Sequence, residues 1–581
     1  MCQGHPQQGR PCVTLVPTPI PLVWDVLPET SKRVIFMMRF LICSLVILLA
    51  NAHATAAEPP AAAFDIVIRN ARIVDGTGAP WYRGDVGIRN GKIAKIGRLA
   101  KAKTGRTIDA QGLVLAPGFV DMMGQTATPF LTDPATAMNL LTQGITTINA
   151  GEGRSAAPLS KADGKKAGWR TMAEYVAKLD AAGLPINVAQ SVGHTQVRRI
   201  VIGEVDRRPT KEELARMQAL VEEAMQAGAT GVSTALIYPP AVYATTEEIA
   251  ALAKVAGKYG GRYYTHMRNE GDRLLEAIDE ALEIGRTAGV PVHIFHLKAA
   301  GRQNWGKMQL AIARIRAARA KGEQVTADIY PYINNGLGIA AFIHPRHFGR
   351  GREALLRQLD DAALRKTIRA EMEGEAPWEN WYRHVGKDWH KVTLGSMTAA
   401  PFSKYNGRSL GEVASELKRD EWDVFFDIAK TGAFALPQSM SEANKIRAMQ
   451  ADFVTFCTDV GPDGGSRISS HPRAYGSFPR ILSRYVRDLG VLTLEEAIAK
   501  MSSRATNELM THNRGRIAIG QAADCVLFDP NKITDRATLA KPNTRSTGMD
   551  YVLVNGQVVL EKGRYTGAKP GRVLRGPGWR R

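Results

Sequence analysis

Four apolar segments of this chain are each followed closely by one polar side chain. The segments are 145–150, 262–265, 292–295 and 453–458, and the polar residues after them are Glu152, His266, His296 and Asp459. The stretches between them have helical patterns, which predicts parallel strands joined by right-handed crossovers. In a parallel β/α barrel the carboxyl ends of the strands meet on one face, where chemistry is done. We therefore expect these four side chains to lie together on that face.

The four polar residues suit a specific chemistry. One carboxylate and two imidazoles can hold a zinc ion that keeps an open coordination position. A further aspartate beside the ion suits a general base. Two alternatives remain open, because Glu152 could serve as a hydrogen-bonding group and Asp459 as an ion-pair partner.

The middle of the chain alternates regularly between strand and helix patterns. Thr245-x-x-Glu248 is a capping box that predicts the start of a helix, and Gly289 marks the end of the next one. The predicted helices are 246–259, 272–287 and 305–320, and a strand at 325–330 follows them. This register is typical of a β/α architecture with a parallel sheet.

Both ends of the chain carry short alternating strand patterns separated by glycine. The predicted strands are 64–69, 71–74, 515–518, 525–528, 551–555 and 557–561. Asn555 and Gly556 form a two-residue hairpin signal. Neither end has enough apolar surface to fold alone, so we expect one small β-sandwich built from both. The predicted boundaries are 58–116 and 513–581 for the two sandwich parts and 117–512 for the barrel.

The β/α register breaks between about residues 339 and 450. This stretch is rich in charge and contains Trp378, Trp381, Trp389 and Trp422. It predicts an α-rich insertion packed over the barrel mouth. A mobile lid and a static addition both remain open.

Residues 1–57 have the features of a secretory leader. Arg39 precedes a short apolar run, and small residues that fit a cleavage site follow it. The run is too short to span a bilayer comfortably. We expect the natural start at Met37 or Met38 and a periplasmic or secreted location, with an uncleaved N-terminal anchor as the alternative.

Charge and cysteine content limit the possible partners. The chain has a formal net charge of +20, which favours acidic substrates, cell-wall polymer or lipid headgroups. It contains no basic arm with interleaved aromatic residues and no recognition-helix motif, so nucleic acid is not an expected partner. Only Cys457 and Cys525 remain after cleavage of the leader, which predicts two buried free thiols rather than a disulfide framework.

Nine short blocks give the chain a resemblance to a known family. The blocks are Ala116-Pro-Gly-Phe-Val-Asp121, Gly144-Ile-Thr-Thr147, Tyr238-Pro-Pro240, Thr265-His-Met-Arg-Asn-Glu-Gly271, His296-Leu-Lys298, Ala327-Asp-Ile-Tyr-Pro-Tyr332, Cys457-Thr-Asp459, His471-Pro-Arg473 and Gly515-Arg-Ile-Ala518. Together they resemble the amidohydrolase superfamily, and within it the D-aminoacylases (N-acyl-D-amino-acid deacylases), over roughly residues 64–575. Any one block alone would be a weak signal.

The resemblance implies a fold and a mechanism. The implied fold is α/β, a distorted (β/α)8 barrel with a small β-sandwich. The implied zinc ligands are His266 and His296, and Asp459 is implied to take a proton from metal-bound water and to pass it to the leaving amine. Zinc lowers the pKa of such water toward ~7, and the proton shuttle is worth on the order of 10²–10⁴-fold in rate.

The sequence departs from the family pattern at two metal-binding positions. Met123 and Gln125 stand where most members have a His-x-His pair, and a thioether and an amide are poor zinc ligands. We therefore expect one zinc ion per chain and no second metal. The usual bridging cysteine of D-aminoacylases is also missing, and Glu152 is the one ligand type in that stretch, which makes it the predicted third ligand.

The resemblance also implies a pocket for the substrate carboxylate. Lys298 and Arg473 match residues that hold this group, and Arg473 can grip it with a two-point fork. Tyr238 and Tyr330 match tyrosines that line the same pocket. Gly336 stands where the family usually has a serine, which puts the carboxylate grip in question.

Three other histidines carry weaker expectations. His293 has odd spacing from His296, so it should point to the opposite side of the strand and serve packing. His471 is expected to be structural. For His194, contact with substrate and fixing of a loop remain equally open.

The predicted function is zinc-dependent hydrolysis of the amide bond of N-acyl-D-amino acids, which yields a carboxylate and a free D-amino acid. The alternatives are a dipeptidase, a cyclic-amide hydrolase of the same superfamily, or a catalytically impaired barrel that acts as a binding protein. Cyclic-amide hydrolases usually need a carboxylated lysine at a strand end, and Lys298 is the one lysine in such a place. A small molecule that bears a carboxylate is the expected partner.

Overall fold

The computed structural model describes residues 64–375, 378–398, 400–463 and 470–580. The predicted leader at 1–57 lies outside the described residues. The strands are β1 (Phe64–Ile73), β2 (Tyr82–Arg89), β3 (Lys92–Gly97), β4 (Thr104–Asp109), β5 (Val114–Pro117), β6 (Phe119–Asp121), β7 (Ile145–Ala150), β8 (Asn187–Gln190), β9 (Val192–Gly193), β10 (Gly231–Ala235), β11 (Arg262–His266), β12 (Val292–Ile294), β13 (Val325–Ile329), β14 (Leu337–Gly338), β15 (Val392–Gly395), β16 (Phe434–Pro437), β17 (Val454–Phe456), β18 (Cys525–Phe528), β19 (Met549–Val554), β20 (Gln557–Glu561) and β21 (Arg564–Tyr565).

Helices separate most of the barrel strands. The α-helices are Met138–Leu141, Lys161–Ala167, Met172–Ala182, His194–Val201, Lys211–Gln226, Thr246–Lys258, Leu274–Ala288, Lys307–Ala320, Arg352–Gln358, Ala362–Glu373, Trp381–His384, Leu410–Leu417, Glu421–Thr431, Glu442–Gln450, Arg473–Arg480, Leu494–Met501 and Ser503–Glu508. A π-helical stretch, Ile481–Asp488, continues directly from Arg473–Arg480. Within the described part of the chain, no helix is long and apolar enough to cross a membrane.

Two parallel ladders close into one barrel. One ladder is β6–β7–β8, and the other is β9–β10–β11–β12–β13–β17. Ser191 is the single residue between β8 and β9, and its amide donates to the carbonyl of Ala150 in β7 at 2.9 Å. On the other side, the amide of Met122 donates to the carbonyl of Phe456 in β17 at 3.3 Å. With β8 and β9 as one strand, the described chain forms eight parallel strands, and the predicted (β/α)8 barrel is confirmed.

The barrel strands are buried on both faces. Every residue of β7, β8, β10, β11 and β13 is buried, as parallel strands covered by helices require. The helix Thr246–Lys258 starts at Thr245, whose side chain accepts from the amide of Glu248, but the reciprocal half of the predicted capping box is missing. Gly289, with φ of 67°, ends the helix Leu274–Ala288 as expected.

Strands from both ends of the described chain form one nine-stranded sheet. The two ends meet where β18 pairs antiparallel with β5, and β19 and β20 extend the sheet from there. The predicted strand at 515–518 is wrong. These residues form a loop, in which Gly515 has φ of 85° and Ile517 donates a single backbone bond to Asp75. An isolated bond of this kind does not make a ladder.

The chain between β13 and β17 builds a second hydrophobic core. β14, β16 and β15 form a small antiparallel sheet, and Trp389 stacks on Phe342 and Phe425 beside it. The helix Glu442–Gln450 does not belong to this core. It packs against β13, β17 and the helix Lys307–Ala320, which is the place of a barrel helix.

Candidate active site

Three candidate metal ligands meet at the carboxyl ends of the barrel strands. His266 is the last residue of β11, His296 follows β12, and Glu152 follows β7. Glu152 Oε1 lies 2.7 Å from His266 Nδ1 and 3.5 Å from His296 Nε2. One ligand atom from each residue falls within 4.8 Å of the others, so a single ion can contact all three.

The donor set fits a zinc ion in its chemistry as well as its spacing. The second nitrogen of each imidazole faces Glu270: His296 Nδ1 is 3.0 Å from Oε1, and His266 Nε2 is 3.7 Å from Oε2. A carboxylate behind a metal-binding histidine fixes its tautomer and directs the other nitrogen to the metal. Here one carboxylate stands behind both imidazoles.

The charges around the histidines favour a cation. Burial and Lys298 oppose protonation of His296, but Glu270 and Glu152 outweigh them and raise its pKa to about 9. Burial likewise raises the pKa of Glu152, yet the two imidazoles outweigh it and hold that pKa well below its usual value. Glu152 and Glu270 therefore favour positive charge at the histidines, a preference that a bound cation would also satisfy.

Asp459 lies beside the metal ligands with both carboxylate oxygens engaged. Oδ2 is 2.6 Å from Arg473 Nη1, and Oδ1 accepts a hydrogen bond of 2.7 Å from Gln125 Nε2. Burial raises the pKa of Asp459, and the guanidinium of Arg473 opposes that rise. A carboxyl group with a raised pKa can exchange a proton closer to neutral pH.

Three residues of this site have left-handed backbone conformations. The φ angles are 54° at Gln125, 35° at His296 and 55° at Asp459. Such angles are unfavourable for residues with a side chain and persist where the surrounding structure enforces them. At His296 the enforcing group is Asp328, whose Oδ1 accepts from the His296 amide at 2.6 Å. Unfavourable backbone angles therefore accompany the placement of these three side chains in the cavity.

The predicted substrate residues surround the same cavity. Lys298, Arg473 and Tyr238 line it together with the metal ligands. Tyr330 lies buried behind them, with Arg473 4.8 Å and Lys298 5.5 Å from its ring centre. The Tyr238 ring centre is 5.4 Å from that of His266. All four residues are therefore within one site, although Tyr330 supports its cations rather than facing the cavity.

The predicted carboxylate grip is engaged internally in this structure. Arg473 contacts Asp459, and Lys298 Nζ lies 3.0 Å from Glu270 Oε2. Gly336 is close to this grip, because a Cβ there would lie 3.0 Å from Arg473 Nη2 and 2.9 Å from Phe434. The glycine thus makes room for Phe434 and Arg473 where the family usually has a serine.

Two site residues escaped the sequence analysis. Glu270 follows His266 by four residues in the loop after β11, and Asp328 lies within β13. Asp328 Oδ2 also lies 2.9 Å from His293 Nε2, so His293 is part of a buried polar pair rather than an apolar packing residue. An acidic residue four positions after a predicted ligand is the one signal that could have pointed to Glu270.

The remaining histidines have structural partners. His194 Nε2 lies 2.9 Å from Glu248 Oε1 in a buried pair, so it fixes the chain rather than facing the cavity. His471 lines the cavity, but its Nδ1 accepts from the Arg473 amide and its Nε2 lies 3.1 Å from the Asn334 carbonyl. Cys457 and Cys525, the cysteines of the described chain, are buried free thiols.

Comparison with known proteins gives consistent matches over most of the chain. The sequence profile of the amidohydrolase family matches residues 106–560, and that of the urease alpha-subunit N-terminal domain matches residues 48–118. A D-aminoacylase of Alcaligenes xylosoxydans xylosoxydans is 34% identical over 523 residues, which is 88% of this chain and 97% of the relative.

Solved structures show the same relationship. An N-acyl-D-glutamate deacylase from Bordetella bronchiseptica, complexed with zinc and a phosphonate mimic of the tetrahedral intermediate, is 31% identical with a TM-score of 0.75. A D-aminoacylase with a binuclear metal centre, activated by one metal and attenuated by a second, is 32% identical with a TM-score of 0.74. Each comparison covers 88% of this chain and 100% of the other. This chain therefore belongs to the amidohydrolase family.

Proposed function

We propose that this protein is a zinc-dependent hydrolase that cleaves the amide bond of N-acyl-D-amino acids. The products are a carboxylate and a free D-amino acid. The observation that carries this proposal is the convergence of Glu152, His266 and His296 beside Asp459 in one cavity. The activities named for the D-aminoacylase and N-acyl-D-glutamate deacylase relatives support it.

The metal ligands and the base divide the chemistry between them. Glu152, His266 and His296 would hold the zinc ion, which as a Lewis acid polarises the amide carbonyl and makes water more acidic. Asp459 accepts the proton that the attacking water loses and delivers it to the nitrogen of the leaving amine. Its raised pKa suits both halves of this transfer, which is worth on the order of 10²–10⁴-fold in rate.

Two of the cationic side chains that line the cavity select the substrate. Lys298 and Arg473 bind the α-carboxylate, and Arg473 can do so with two parallel hydrogen bonds. Because Arg473 contacts Asp459 in this structure, a bound substrate carboxylate competes with Asp459 for the guanidinium. Occupation of the carboxylate site therefore weakens one contact of the base at the moment when the base is needed.

A substrate panel tests this function directly. Free amine release is measured from N-acetyl-D- and N-acetyl-L-amino acids, from dipeptides and from cyclic amides, with and without a chelator. We expect release from N-acetyl-D-amino acids that the chelator abolishes and added zinc restores. Preference for dipeptides or cyclic amides would instead indicate a dipeptidase or a cyclic-amide hydrolase. A lack of turnover on every substrate, with zinc bound, would favour a binding protein.

We also propose that the protein is exported to the periplasm or secreted. The apolar run after Arg39 and the small residues behind it support this location. N-terminal sequencing of the protein recovered from its native compartment is the test. A mature start near Ala56 or Ala57 is expected, and a full-length chain retained inside the cell would contradict the proposal.

A further inference from the structure

The side chain of Gln125 joins the metal-ligand set to the general base. Its Nε2 donates to Glu152 Oε2 at 2.7 Å and to Asp459 Oδ1 at 2.7 Å. An amide nitrogen carries two hydrogens, so each hydrogen serves one carboxylate. A single neutral group thus spans the gap between two like charges.

The backbone around Gln125 is locked in place for this contact. Gln125 has a left-handed φ of 54°, and its carbonyl accepts from the amide of Gly151, the neighbour of Glu152, at 2.8 Å. The amide of Gly124 donates to the carbonyl of Asn149 at 2.8 Å, and a Cβ on Gly124 would lie 2.5 Å from Ile148. The loop after β6 is therefore held against the end of β7, which places the Gln125 side chain beside its two acceptors.

The other oxygens of the two carboxylates are already engaged. Glu152 Oε1 faces His266 Nδ1 at 2.7 Å, and Asp459 Oδ2 faces Arg473 Nη1 at 2.6 Å. The oxygens that Gln125 contacts are the other oxygen of each carboxylate, and both lie 2.7 Å from the same nitrogen. Glu152 and Asp459 would be the carboxylates available to hold a second cation here, and the Gln125 amide already contacts both.

We propose that Gln125 is a positioning residue that replaces a second metal ion with a neutral amide bridge. It holds Asp459 at a fixed place relative to Glu152, and it keeps the site limited to one zinc ion even when zinc is in excess. The inference deepens the proposed function, on which its kinetic part rests. Its prediction of the number of bound metal ions can be tested without measuring any enzymatic activity.

Metal titration of the chelator-treated protein tests the inference first. The wild type is expected to bind one Zn²⁺ or Co²⁺ per chain at saturation. Gln125→Glu has the same shape but adds a carboxylate beside Glu152 and Asp459, and three such groups attract a second divalent ion. Two ions per chain are therefore expected in this variant. A wild type that takes up two ions would overturn the inference, as would a Gln125→Glu variant that takes up one.

Steady-state kinetics of Gln125→Leu tests the positioning role. This change removes both donors at similar volume, and kcat should fall about 10- to 100-fold, as for other groups that orient a metal site. KM should change less than about twofold, since Lys298 and Arg473 are untouched. Unchanged kcat would refute the positioning role. Excess zinc should leave the wild-type rate unaffected, and strong zinc inhibition would contradict the bridge.

Two measures keep these outcomes interpretable. Gln557→Glu makes the same chemical change on an exposed position of β20, and it should match the wild type in stoichiometry and rate. Thermal unfolding of each variant reports whether the fold is retained. If no N-acyl-D-amino acid is hydrolysed by the wild type, the proposed function fails, while the ion counts for wild type and Gln125→Glu still decide the bridge.

Discussion

The two sides of the active site are held in different ways. On the metal side, His266 and His296 both face the buried carboxylate of Glu270. The backbone amide of His296 donates a hydrogen bond to Asp328. On the base side, Asp459 is held by contacts from Gln125 and Arg473, and Arg473 is also the group that should receive the substrate. The proposed reaction uses neither Glu270 nor Asp328, whereas on the base side the contact between Arg473 and Asp459 exchanges when substrate binds.

This difference predicts which measurements respond to a change on each side. Substitution of Glu270, which lies behind both histidines, should alter the affinity for zinc. Substitutions around Asp459 should alter kcat or KM and leave the metal in place. This distinction fails if a substitution of Asp459 or Arg473 releases the zinc ion, or if a substitution of Glu270 leaves zinc affinity unchanged.

The largest effect is expected from Asp459→Asn. Turnover should fall by on the order of 10²–10⁴-fold, because an amide cannot carry the proton, while zinc content stays at the wild-type level. Amine release and metal analysis on the same sample check both halves. Asp488→Asn, on an exposed aspartate, is the matched control. Near-wild-type turnover by Asp459→Asn would refute the proton-transfer role.

The pH dependence of the wild type sharpens the same point. Burial raises the pKa of Asp459, and the base works only when it is deprotonated. The rate should therefore be lost as pH falls, with the acidic limb of kcat/KM lying above ~3.9, the ordinary value for aspartate. An acidic limb at or below that value would contradict the assignment.

Glu270→Gln is expected to act on the metal side. The change removes the negative charge that faces both imidazoles, so zinc affinity should fall about 10- to 100-fold, as is typical for groups behind metal ligands. Competition with a chromogenic chelator measures this affinity without substrate. Glu283→Gln, on the exposed face of the helix Leu274–Ala288, should bind zinc as the wild type does. Unchanged affinity in Glu270→Gln would break the distinction between the two sides.

The smallest effect is expected from Arg473→Lys. Lysine keeps the charge but lacks the two-point fork, so KM for N-acyl-D-amino acids should rise by about tenfold with zinc still bound. Arg480→Lys lies on the same helix but binds Asp535, away from the cavity, and should leave KM unchanged. Zinc loss in Arg473→Lys would place this residue on the metal side instead.

The sequence contains much of the metal side because its geometry is periodic. Strand patterns place His266, His296 and Glu152 at strand ends, and parallel strands bring such ends together. The same logic failed at 515–518, where an alternating pattern without a pairing partner stayed a loop. The sequence pattern also placed the end of the insertion near residue 450, although the helix Glu442–Gln450 packs against the barrel strands β13 and β17.

The residues that support the ligands and the base could not be derived in this way. Gln125 contacts residues 27 and 334 positions away, and its role depends on a left-handed turn that no residue pattern announces. The residue type of Gln125 indicated only that it is a poor metal ligand and did not point to a bridging role. Glu270 lies in a loop without periodicity, and its position next to both imidazoles is visible only in the folded structure.

Metal analysis of the purified chain, reconstituted with excess zinc and then washed, tests the central claim most directly. One zinc ion per chain is expected in the wild type, and none should be retained when His266 and His296 are both replaced by alanine. Hydrolysis by a wild type that retains no zinc, or equal zinc retention by the double variant, would contradict the account.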